Sequence, residues 1–284
     1  MRTNHPKTSM GSKRSVEVCA CLWVDLLGYG SMLRKDNFDI TKPSTENAVS
    51  RLFRFQDIVA KHSVKLFPTV VLNDGCVAYR NLSPRSKSVT YDFLRRAHNL
   101  HTEINAIEIA EGLPGARSIL AVGFRHRRQT DNKDKLLAGI GQRLIDSVKN
   151  GKQSVEQAIT AALFARSNYD LVPQLQANFA FAKAYLADRE GTKGGFAGPN
   201  FFVDANMIPE TLPKWFKPEN IVQLNIEGLG GKFYQISKIK FLSGDVENLD
   251  LLDAFEVAAK VAGSNEVADR IRKLTLSGGI HKHA

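Results

Sequence analysis

The chain has 284 residues, 43% of them hydrophobic, which suits one large domain or two small ones with a core that needs no staples. Its three cysteines, Cys19, Cys21 and Cys76, are too few and wrongly spaced for a disulfide framework or a four-ligand zinc site. No window approaches the run of about 18 to 20 apolar residues that spans a bilayer, so the expectation is a soluble, cytoplasmic protein from a reducing compartment. A formal net charge of +10 favours polyanionic ligands, either nucleic acid or a nucleotide. Only Arg125 to Arg128 form a dense basic cluster, however, and no nucleic-acid-binding signature accompanies them.

Residues 1–14 are polar and basic, without the apolar stretch of a signal peptide, and read as a disordered tail. From Val16 to Leu26 the sequence alternates. Val16, Val18, Ala20, Leu22 and Val24 share one strand face, while Cys19, Cys21, Trp23 and Asp25 share the other. Pro43 and Ser44 then open an amphipathic helix that ends near Ser63, with Ser44 as its expected cap. Residues 67–82 hold two apolar runs around Asn73-Asp74-Gly75, the signature of a tight hairpin.

A second helical pattern covers 90–111, Leu113-Pro114-Gly115 breaks it, and Arg117 to Phe124 is a further strand. Residues 133–190 are mostly helical with a break near Pro173, and Gly191 to Pro199 connects them to strands expected at 200–208, 220–228 and 232–241. Helix returns near the C-terminus. The order predicts a palm-like, ferredoxin-like α+β fold, an antiparallel sheet with helices on one face and the Asp25 face left for a ligand or a second subunit. We divide the chain into the tail, a domain over 15–242 with a helical insertion at about 133–177, and a helical extension over 243–284.

Asp25 closes an otherwise apolar strand, and Asp74 sits at the tip of the hairpin expected beside it. A buried acid needs a partner. Two converging carboxylates without an intervening base suit hard cations such as Mg²⁺ or Mn²⁺, and the amides of the Leu26 to Gly30 turn could meet phosphate oxygens.

At these residues the sequence resembles the class III nucleotide cyclases. Their first strand ends in aromatic-x-Asp-Ile-x-Gly-aromatic, and Trp23-Val24-Asp25-Leu26-Leu27-Gly28-Tyr29 is similar position by position. Their hairpin carries Gly-Asp-Gly, against Asn73-Asp74-Gly75 here. AVGF, GPNFFVDANMI and LNIEGLGGKFYQI resemble later strands of the family in the same order.

The resemblance implies a metal set of Asp25, Leu26 and Asp74 holding two Mg²⁺ or Mn²⁺ ions on a nucleoside triphosphate. It implies that Leu26, Gly28, Tyr29, Val70 and Lys232 border the substrate, and that two copies of the chain build the active site between them. The ribose 3′-hydroxyl would attack the α-phosphorus and expel pyrophosphate.

The departures refine this. Purine cyclases carry Lys or Glu four residues before the hairpin Asp, where this chain has Val70, whose side chain cannot hydrogen-bond a purine edge. The family's transition-state pair is Asn followed four residues later by Arg. Here Asn178 is followed by Ala182 and then Lys183, a point charge without the guanidinium fork. Asp170 lies near a second base-reading position. Retained metal acids without purine readers make the chain most like the pyrimidine cyclases of bacterial Pycsar anti-phage systems. Those make cyclic UMP or cyclic CMP from UTP or CTP and thereby switch on a separate effector protein. The alternatives are a purine cyclase, an inactive nucleotide sensor of the same fold, and a basic nucleic-acid-binding protein.

Overall fold

A computed structural model describes residues 15–127, 135–165, 172–239, 241, 251–266, 269–270 and 273. The predicted N-terminal tail and Asp170 lie outside the described residues. The chain forms two compact units, one of residues 1–15 and 127–176, the other of residues 16–126 and 177–284.

In the smaller unit two helices are described, α4 (Lys135–Lys149) and α5 (Val155–Leu163). Ser154 caps α5 through a reciprocal pair with Gln157, which satisfies two otherwise orphaned amide donors.

The larger unit is built on a seven-stranded sheet of order β2-β3-β1-β4-β5-β7-β6. Its strands are β1 (Ser15–Leu26), β2 (Thr69–Leu72), β3 (Gly75–Asn81), β4 (Ala116–Arg127), β5 (Phe201–Asp204), β6 (Asn220–Ile226) and β7 (Leu229–Ile236). Its helices are α1 (Tyr29–Lys35), α2 (Pro43–His62), α3 (Ser88–Ala110), α6 (Phe179–Glu190) and α7 (Ala254–Ala262). Pairing is antiparallel between β1 and β3, β2 and β3, β5 and β7, and β6 and β7, and parallel between β4 and β5. This is the expected α+β architecture.

The alternation along β1 sets its two faces as predicted. Val18, Ala20, Leu22, Val24 and Leu26 join a core with Phe55 and Val59 of α2 and Phe93, Leu94 and Leu100 of α3. Each fully buried Val, Leu or Phe side chain among them contributes about 1.5–3 kcal/mol.

The other face departs from the expectation of helices on one side only. Cys19 and Cys21 pack against Ala180 and Phe181 of α6, so a helix covers much of the face that carries Asp25. Gly123 of β4 permits the close approach, since a Cβ there would stand 2.8 Å from the Ala180 amide nitrogen.

Two local differences have physical causes. Lys42, not Ser44, is the N-cap of α2, because Pro43 takes the first helical position, which suits its fixed φ and missing donor, while the Ser44 hydroxyl bonds Asp36 instead. The strand expected over 200–208 stops at Asp204, whose carboxylate accepts the Asn206 amide at 3.0 Å and turns the chain into a short 3₁₀ segment.

Candidate active site

The hairpin places the two acids side by side. Asn73 adopts φ 56°, the left-handed conformation a two-residue hairpin turn requires, and this puts Leu72 opposite Gly75. Across the next pair Asp25 is the register partner of Gly75, and the Leu26 amide donates to the Asp74 carbonyl at 3.0 Å. Asp25 and Asp74 therefore meet at one end of the sheet, both half-buried. Gly75 is required between them, because a Cβ there would stand 2.7 Å from Cη2 of Trp23.

Asp25 lies in an acidic, poorly solvated setting. Burial, then the carboxylates of Asp188 and Asp74, push its pKa up to about 7, against a partial offset from Arg117 and Arg51. The carboxylate of Asp74 accepts Asn73 Nδ2 at 3.0 Å. Among the described residues neither acid is held in a salt bridge. Asp188, on α6, is bound by Arg117 of β4, whose Nε reaches it at 2.6 Å and whose Nη1 donates to the Phe196 carbonyl at 2.9 Å.

The turn after Asp25 is tightly bonded. The Leu27 amide donates to the Gly115 carbonyl at 2.9 Å, so the amides of Leu26 and Leu27 are both committed within the chain, and a phosphate could meet only those from Gly28 onward. Gly28 stands at φ 76° before α1. Tyr29 is buried in the core on the α2 side, its phenol pKa raised by burial and by Asp74.

Val70 faces Val77 of β3, which faces Trp23 of β1. This row lies on the Asp25 side of the sheet. Trp23 is closed over by α6, with Tyr185 at 5.4 Å in an edge-on contact and Phe181 at 6.2 Å between ring centroids. Lys232, by contrast, shares its face of β7 with Tyr234, over whose ring its ammonium sits at 5.0 Å. Tyr234 belongs to the α2–α3 core, so the strand's two-residue period turns Lys232 away from Asp25. Within one chain it does not reach the phosphates of a nucleotide held there.

Asn178 and Lys183 both have partners inside their own chain. Asn178 is the N-cap of α6, accepting the Phe181 amide at 3.0 Å and the Cys19 thiol at 3.4 Å, while its Nδ2 donates to Cys21 at 3.2 Å. Lys183 is buried, with its ammonium 2.7 Å from Asp204 and 5.3 Å from the centre of the Phe233 ring. Within the chain, the two residues the sequence offered as a transition-state pair fasten α6 to the sheet. Arg125, the first residue of the basic cluster, is also buried and paired with Glu17.

Sequence reasoning missed Asp188, Arg117 and Arg51. Arg51 had a signal, since it falls on the apolar stripe of α2 between Ala48 and Phe55. A charge there announces a buried partner.

Two acids are a sparse but suitable donor set for Mg²⁺ or Mn²⁺, which usually keep waters and take one or two protein carboxylates plus substrate phosphates. Among the described residues no group of three or more His, Cys, Asp or Glu side chains could hold a metal. Nor, among the described residues, is any helix long and apolar enough to cross a membrane.

No family model matches the sequence, and no curated protein matches it either. Among solved structures the chain is similar to the guanylyl cyclase Cya2, at 12% identity over 86% of this chain and 100% of that one, with a TM-score of 0.41. It is similar to the adenylyl cyclase CyaB from P. aeruginosa, at 8% identity over 81% and 99% of the two chains, with a TM-score of 0.46. A third is the dimeric guanylyl cyclase domain of the RhoGC fusion protein from the aquatic fungus Blastocladiella emersonii, at 9% identity over 81% and 100%, with a TM-score of 0.39.

Proposed function

We propose that this chain is a metal-dependent nucleotide cyclase that converts UTP or CTP to the 3′,5′-cyclic monophosphate and pyrophosphate. The observation that carries the reading is the Asp25–Gly75 register, which sets Asp25 beside Asp74 at the sheet end. Asp25, Asp74 and the Leu26 backbone would hold the metal ions. Once bound, the ions supply positive charge to the attacking and leaving oxygens of an in-line displacement at phosphorus.

The chain's own residues do the rest. Asp25 must release a proton near pH 7 to become a ligand, so metal uptake rises with pH. Phe181 and Tyr185 close water away from Trp23 beside it. Val70, in line with Val77 and Trp23, offers a base no hydrogen bond, which supports a pyrimidine over a purine.

Lys183 is spent on Asp204, which supports a second subunit as the source of further charge for the α-phosphate; a homodimer in the cytoplasm is part of the proposal. A released cyclic pyrimidine nucleotide would serve as the messenger to a separate effector in anti-phage defence.

The test is incubation with each of the four nucleoside triphosphates and Mn²⁺, followed by chromatography. Cyclic UMP or CMP as the main product, lost in Asp25→Ala and Asp74→Ala, supports the reading. Cyclic AMP or GMP would replace it with a purine cyclase. The in-chain engagement of Asn178 and Lys183 favours one further reading, an inactive sensor, which would bind nucleotide and yield no cyclic product.

A further inference from the structure

Among the described residues Arg51 is the most deeply buried cation, 1% exposed, and it stands at the junction of two loops. Its Nε and Nη2 grip the Glu108 carboxylate of α3 at 2.9 and 2.5 Å. The same Nη2 donates to the Leu27 carbonyl at 3.0 Å and to the Gly115 carbonyl at 3.3 Å, and Nη1 lies 3.7 Å from the Met32 sulfur. Leu27 also donates its amide to Gly115. The turn that follows Asp25 is thus stitched to the loop before β4, and the guanidinium fork is the only described side chain that bonds both carbonyls.

A fork does this where an ammonium cannot, because its donors are fixed in one plane and point in several directions at once. Glu108, itself 5% exposed, fixes the fork and neutralises it. A buried ion pair adds little net stability compared with a well-packed apolar pair, since desolvation cancels most of the attraction. Stability therefore gives no account of why this pair sits against the turn; geometry does.

We infer that Arg51, held by Glu108, is a positioning residue that fixes the Leu26–Gly28 turn so that Asp25 and the Leu26 backbone keep a metal-binding arrangement. This rests on the cyclase reading for its function, though the clamp itself can be tested apart from it. Arg51 touches neither substrate nor metal in this scheme; it acts through the turn.

The experiment uses the full chain with Arg51→Met/Glu108→Leu, which removes both charges together and leaves no buried ion unpaired, alongside Arg51→Lys, which keeps the charge without the fork. Amide hydrogen exchange of residues 26–29 and titration with Mn²⁺ followed by electron paramagnetic resonance are measured on each. The expected result for both variants is exchange at least about tenfold faster in that segment, with α2 and α3 core amides unchanged, and a Mn²⁺ midpoint raised about tenfold.

Unchanged exchange in the turn of either variant overturns the clamp. Faster exchange with an unchanged Mn²⁺ midpoint overturns its link to the metal. A wild-type midpoint in Arg51→Lys would show that charge alone matters and overturn the positioning role. Wild-type protein that takes up no Mn²⁺ overturns the cyclase reading and the clamp's bearing on metal, whatever the exchange shows.

Discussion

Removing the acid at the centre of the site should make the metal-free protein more stable. The pKa of Asp25 is raised from 3.8 to about 7 by burial and by Asp188 and Asp74. Between those values the folded state holds a proton that the unfolded state has released, so stability falls as pH rises through the window and the loss is complete above about pH 7. A shift of about three units at about 1.36 kcal/mol each sets a ceiling near 4 kcal/mol. Asp25 is half-buried, so water screens part of this, and we expect Asp25→Asn to gain about 2 kcal/mol at pH 8.

The assay is urea and thermal unfolding in EDTA, where a gain of that size raises Tm by roughly 5 °C. At pH 4.5, where Asp25 is mostly neutral in the folded state, the gain should shrink to less than half. Cyclase activity should be lost in the same variant, a trade of stability for function. Equal or lower stability of Asp25→Asn at pH 8, or the same gain at both pH values, would refute the reasoning.

Other outcomes follow from the same geometry. Lys183→Met should destabilise the fold by about 3 kcal/mol, because it strands Asp204 in the core; a kcat loss with unchanged urea midpoint would instead restore Lys183 to the reaction. His101 bonds Ser118 at 2.9 Å and is held neutral, its pKa pushed down by burial to about 3. The unfolded chain binds that proton below about pH 6.5, so stability is lost as pH falls, by about 2 kcal/mol at pH 5, and His101→Gln should flatten this part of the pH profile of urea unfolding. The Mn²⁺ midpoint of the wild type should fall as pH rises from 6 to 8, following deprotonation of Asp25. If a second subunit completes the site, specific activity should drop on dilution, measured as turnover against protein concentration.

The parts of the fold that depend on local pattern were legible in the sequence. Period-two alternation located β1 and sorted its faces, and Asn73-Asp74-Gly75 located the hairpin that brings the acids together. Long-range choices were not legible. Nothing in the repeated alanines of α6 says which face of the sheet they will cover; that is decided by Gly123 on β4 and by Asp204 on β5, remote positions that accept the helix.

The same gap explains Lys183. Counted from Asn178 it sits one residue beyond the family spacing, and that single step of about 100° around a helix points it at Asp204. The placement of Tyr29 and Lys232 has a related cause. Each is set by which side of the sheet its element faces, a property that motif matching does not carry.

The site therefore has an unusual charge account. At the end of β1 the carboxylates of Asp188 and Asp74 both act on Asp25, while the nearby described cations are each bound to another acid: Arg117 to Asp188, Arg51 to Glu108 and Lys183 to Asp204. Such a place repels a polyphosphate until positive charge arrives. The overall charge of +10 concentrates anions near the protein, but it does not neutralise them at Asp25. Divalent cations would do so while satisfying Asp25 and Asp74, so on the proposed reading the excess of carboxylate makes nucleotide binding conditional on metal. That conditionality is what a cyclase needs, and a basic protein that binds nucleic acid through its field alone would have no use for Asp25 or Asp74 beside it.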